Sequence, residues 1–198
     1  GDAPRRAAGV ELDHAALARV EAEIAARREE SARLGLSYLR GHLLDSQGRM
    51  AEASKVFGEA ISETPPLALY SRYRGALDHD QMGHPEMAAG LVSKVVAEAP
   101  DSPLTPQAVR LLVHTLAEGG DCRLLSGLRV EALPMPRRRE IRLAQSDCAL
   151  RMDHVDIARG WLTALIEEER DDDPARGAAE RLAGLISEDE RGRLPMLI

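Results

Sequence analysis

A period of thirty-five residues constrains this chain more than any single residue does. Gly48, Ala53, Phe57 and Pro65 return as Gly83, Ala88, Val92 and Pro100, each displaced by the same step, and Ala158 lies two such steps past Ala88. Self-similarity at this period marks helical hairpins that stack on one another, because one hairpin cannot bury its apolar face alone. The expected fold class is all-α, built of stacked antiparallel helical hairpins. Small Ala at the recurring site lets two helices approach, and the larger apolar residue four positions later fills the groove between them.

Composition agrees. Ala, Leu, Arg and Glu dominate and aromatics are only 3% of residues, so most side chains lose little rotamer freedom in a helix. The formal net charge of -7 argues against nucleic acid as a partner, since phosphate binding needs a basic stripe that releases counterions. No uninterrupted apolar run of about 18 residues is present, which argues against a membrane span. The sequence opens at Gly1-Asp2 without Met, so the lack of a leader pattern fixes no compartment.

Punctuation divides the chain. The pattern predicts a leading helix over 12–33 that caps the stack, hairpins over 34–65, 67–100, 104–133 and 136–170, and a terminal helix over 174–187, all in one domain over 1–198. The turns fall at Gln47-Gly48-Arg49, Gly83-His84-Pro85, Glu118-Gly119-Gly120-Asp121 and Asp153-His154. Gly48 suits the left-handed conformation at a helix end, and Pro85 suits a first helical position. The third return helix, Cys122 to Leu128, is short before Pro134 and Pro136. Two charge runs receive no function: Arg137-Arg138-Arg139 reads as a solvated helix start, and Glu167 to Asp173 as a helix end and linker. The apolar tail from Leu194 to Ile198 is expected to dock back on the last helix or to continue into further helices.

No catalytic, cofactor or metal residue is assigned. His14, His42, His79, His84, His114 and His154 form no i, i+4 metal-binding pair, two cysteines make no zinc site, and Gly119-Gly120 is a turn rather than a phosphate cradle. The candidate surface comes from register: if the first helices line the concave side, Tyr38, His42 and Asp45 lie near Tyr70, Tyr73 and Asp80. Tyr offers apolar area with a polar tip, which serves either partner recognition or packing between hairpins. Cys122 and Cys148 fall on elements expected to be neighbours. They either form a disulfide, stabilising by about 3 kcal/mol in the loop-entropy account, or are two buried thiols.

These positions carry a resemblance to tetratricopeptide repeats. Gly41, Gly48, Ala53, Phe57, Ala60 and Pro65 match one repeat unit, and Ala76, Gly83, Ala88, Val92, Val95 and Pro100 give a second, looser copy. Trp161 lies on a second helix instead of at the repeat's first-helix Trp position. The resemblance implies a right-handed α-superhelix. A narrower one rests on Asp101-Ser102-Pro103-Leu104, Gly120-Asp121-Cys122, the Pro-bounded Arg-rich start, Asp147-Cys148-Ala149-Leu150 and Glu169-Arg170-Asp171. This succession resembles the N-terminal α-superhelical region of bacterial soluble lytic transglycosylases, envelope enzymes that cleave peptidoglycan glycan strands without water.

That resemblance implies a periplasmic or cell-envelope protein whose helical part is a non-catalytic scaffold. The family's catalytic module uses a Glu, usually followed by Ser, and a downstream Gly-Leu-Met-Gln-like segment. Glu30-Ser31 has no such segment after it, so Glu30 is not assigned and any such chemistry would lie beyond residue 198. Implied partners are a downstream catalytic domain of the same polypeptide, peptidoglycan, or another protein. The alternative is a stand-alone adaptor that binds a peptide or protein, in the envelope or the cytoplasm.

Overall fold

Four reversals of the chain are built the same way. Gly48, Gly83 and Gly119 have φ of 73°, 74° and 115°, and Asp153 has φ of 61°. At each reversal an N–H reaches back five residues: Arg49 to the Leu44 carbonyl at 3.0 Å, His84 to His79 at 2.9 Å, Gly120 to Thr115 at 2.8 Å and His154 to Ala149 at 2.8 Å. This Schellman geometry satisfies carbonyls that the helix end would leave orphaned. Only Asp153 bears the steric cost of a Cβ in the left-handed region. Asp153→Gly is therefore expected to stabilise the protein by up to about 1 kcal/mol, read as a higher urea midpoint at unchanged slope.

The computed structural model describes residues 3–27, 30, 35–168 and 170–193 of the 198-residue chain. Among these residues there are nine α-helices and no strand. The chain divides into two compact units, Gly1–Leu124 and Leu125–Ile198, where the repeat pattern suggests one continuous array. The first unit holds α1 (Ala3–Ala26), α2 (Leu36–Ser46), α3 (Met50–Glu63), α4 (Ala68–Gln81), α5 (Pro85–Glu98) and α6 (Thr105–Ala117). The second holds α7 (Met135–Arg151), α8 (Val155–Glu167) and α9 (Asp173–Arg193). Within each unit every helix packs on the next.

Three boundaries differ from expectation. Helix α1 begins at Ala3 rather than 12 and ends at Ala26, short of the expected 33, while 28–29 and 31–33 lie outside the described residues. Helix α9 runs to Arg193, past the expected stop at 187. The third return segment is not an α-helix: it forms 3-10 turns at Cys122–Gly127 and Val130–Ala132. About two turns bounded by Pro134 cannot repay the cost of helix nucleation, and short 3-10 pieces are the usual outcome. The tail 194–198 also lies outside the described residues.

The predicted register holds in every hairpin where it was read. Ala53, Phe57 and Ala60 on α3, Ala88, Val92 and Val95 on α5, and Ala158, Leu162 and Leu165 on α8 are all buried. Gly41 on α2 shows why the small residue is needed: an added Cβ would meet the Phe57 ring at 2.8 Å. Leu17 and Leu44 close the same cluster, so α1 covers the first hairpin. Ala88→Leu should overpack α5 against its neighbours and cost about 1 to 3 kcal/mol, measured by chemical denaturation.

Candidate functional site

In residues 1–124 the first helices of the hairpins, α2, α4 and α6, are linked by charges rather than by apolar contacts alone. Asp45 on α2 accepts from the Arg74 guanidinium on α4. One hairpin later, Asp80 on α4 faces His114 Nε2 on α6 at 3.5 Å. Tyr73 on α4 is half-buried, and burial pushes its phenol up from the usual range while nearby Arg110 on α6 opposes that shift. The i, i+4 pair Arg110 and His114 thus continues the polar line begun by Asp45 and Arg74.

The six residues singled out from the sequence separate into two kinds. Tyr38 is a packing residue: its ring tilts against Phe57 with centroids 5.7 Å apart and joins the core cluster. Asp45, Tyr73 and Asp80 take part in the α2–α4–α6 line, whereas His42 is exposed. Tyr70, 47% exposed, is the most exposed of the three tyrosines. Sequence reasoning missed Arg74, Arg110 and His114. Their signal was present, since Arg74 sits one turn after Tyr70, but an Arg on an amphipathic helix reads first as a solvated face.

Beneath this line lies a strained polar group. Asp78 on α4 is only 1% exposed, its Oδ2 has no hydrogen-bond partner, and the Oγ of Ser71, two turns earlier, is likewise unsatisfied. Burial raises the Asp78 carboxyl to about 6, and Arg74 only partly offsets the effect. His79 beside it is pushed down by burial and by His84.

In residues 125–198 the two charge runs meet through Arg139, while Arg137 pairs with Glu140 and Arg138 with Glu131. Arg139 is 1% exposed rather than solvated. Its Nε and Nη2 donate to the two carboxylate oxygens of Asp172 at 2.8 and 2.9 Å, Nη1 donates to Glu168, and Nη2 also reaches the Leu165 carbonyl at 3.0 Å. The guanidinium holds the Asp172 carboxyl below its usual range. Asp172 also accepts from the Ala175 N–H at 3.0 Å and so caps α9. Arg181 on α9 clasps Asp147 on α7, with Nη2 to Oδ2 at 2.8 Å. The supposed linker is a structural clamp.

Above Arg139 a cavity of about 320 Å³ opens between α7 and α8, lined in part by Met135, Arg138, Arg142, Trp161 and Glu131. Cys122 and Cys148 are both disulfide-bonded. Glu30 is exposed and pairs with Arg27 at 3.6 Å. Among the described residues no group of His, Cys, Asp and Glu is arranged to hold a metal ion, and no helix is long and apolar enough to cross a membrane. No protein-family model matches the chain, and no curated protein is significantly similar to it.

Proposed function

We propose that this chain is a non-catalytic helical-repeat scaffold, the superhelical part of a lytic-transglycosylase-like protein of the cell envelope. Its working surface is the α2–α4–α6 line of residues 1–124, offered to peptidoglycan, to a catalytic domain of the same polypeptide, or to a protein partner. The observation that carries this reading is the exposed Tyr70 on α4, one turn before Arg74, on the helix that the pairs Asp45–Arg74 and Asp80–His114 tie to its neighbours. An exposed aromatic with a polar tip on a helix held by ion pairs is suited to act as an interface anchor. The disulfide-bonded state of both cysteines supports an oxidising compartment, where such bonds persist.

The test uses purified peptidoglycan sacculi. Co-sedimentation of the protein is expected, weakened about tenfold by Tyr70→Ala, which removes a contact of the kind typical of interface anchors. No release of muropeptides above a buffer control is expected. Muropeptide release would overturn the non-catalytic reading. Failure to sediment would move the assignment to a stand-alone adaptor for a peptide or protein, a role the mixed tyrosine and ion-pair character of the face also suits.

A further inference from the structure

We propose that the groove between α7 and α8 is a second docking site, one that takes an extended acidic peptide segment. A partner carboxylate would sit between Arg138 and Arg142, and an apolar side chain would lie against Trp161. This surface belongs wholly to residues 125–198 and does not depend on the α2–α4–α6 line.

Helical spacing builds it. Met135, Arg138, Arg142 and Gln145 follow one another at i+3 and i+4 along α7, and Trp161 and Ala164 face them from α8. The cavity continues into a depression whose wall includes Leu125, Leu128 and Val130, the two sharing Glu131, Arg142 and Trp161. A cationic centre with apolar ground on both sides fits a carboxylate flanked by apolar side chains better than a bare anion.

Charge counting points the same way. Arg138 Nη1 lies 3.2 Å from the Glu131 carboxylate, and Arg142 Nη2 donates to the same carboxylate. Two guanidiniums therefore share one acid, and Arg138 Nε is buried without a hydrogen-bond partner. The other acid on the wall, Glu168, is engaged by Arg139 together with Asp172. Exposed Arg129 adds further positive charge at the depression. A local cationic excess in a chain of net charge -7 complements an acidic partner. The Glu131 side chain, 66% exposed, occupies the seat that a ligand carboxylate would take between the two guanidiniums.

Trp161 is the single tryptophan of the chain, so its emission reports on the site directly. The protein is titrated with a short capped peptide of alternating Asp and Leu, and with the same peptide carrying Asn for Asp. The Asp peptide should give a saturable change in emission, with the Asn peptide about tenfold weaker, the scale of one lost charge-assisted pair. Arg142→Gln should weaken the Asp peptide about tenfold, while Glu131→Gln, at an exposed position, should strengthen it several-fold. Tyr70→Ala should leave both titrations unchanged. Equal response to the two peptides, no binding by fluorescence and calorimetry, weaker binding in Glu131→Gln, or inorganic phosphate binding as tightly as the Asp peptide would each overturn the proposal.

Discussion

Arg139→Ala is expected to destabilise residues 125–198 by about 3 to 5 kcal/mol, the scale for removing one member of a buried charge network. The variant deletes a guanidinium that ties α7 to the Leu165 carbonyl on α8 and to Asp172, the cap of α9. Arg139→Lys should recover only part of the loss, because a single ammonium cannot serve Asp172 through two parallel bonds and still reach Leu165. Urea denaturation followed by Trp161 emission measures the effect in this unit. A change below about 1 kcal/mol in Arg139→Ala would show that the carboxylates and the carbonyl are satisfied equally well by water.

The second large effect is a pH dependence with an unusual sign. The Asp78 carboxyl titrates at about 6 in the folded protein against 3.8 for an unperturbed Asp. Because the folded value is raised, its contribution to stability is fully present below about 3.8 and is lost as pH rises through about 6. The whole contribution, from well below 3.8 to well above 6, amounts to about 3 kcal/mol, of which about half is lost between about pH 5 and about pH 8. In residues 1–124 Asp78 thus favours about pH 5 over about pH 8, opposite to the usual loss of stability in acid, while His79, pushed down by burial and by His84, works in the ordinary direction within the same window. Asp172, held low by Arg139, works in the ordinary direction but only below its own unperturbed range, outside this window. Asp78→Asn should raise stability at about pH 8 more than at about pH 5, followed by tyrosine emission, and the difference between wild type and variant isolates the carboxyl from His79. All three tyrosines lie in residues 1–124. A difference between wild type and Asp78→Asn that stays constant over that window would mean that water or a rearranged side chain solvates the carboxylate.

These two sites mark where reading the sequence stops. The repeat register was legible because it depends on local spacing: Ala88, Val92 and Val95 share a helix face whatever surrounds them, and a face of that kind must be buried. The turns were legible for the same reason, since Gly48 and Gly83 fit the left-handed caps they form. Asp153, which fills the same backbone position without being Gly, shows that the turn geometry and not the residue is what repeats.

Arg139 was not legible. Its run resembles a solvated helix start, and its partners Glu168 and Asp172 lie 29 and 33 residues on. Nothing in local charge patterning separates a run that meets water from one that meets its complement across a helix pair. The same holds for Tyr38, which packs against Phe57, and Tyr70, which does not.

By itself the sequence determined most of the helices, their pairing outside the third hairpin and the face each repeat helix buries, because periodicity and turn chemistry act within a few residues along the chain. The tertiary structure alone decided which charges are buried, which tyrosine is left exposed and where a groove opens beside Trp161. Those outcomes depend on distances between side chains on different helices, and a shift of one helical turn would exchange every partner.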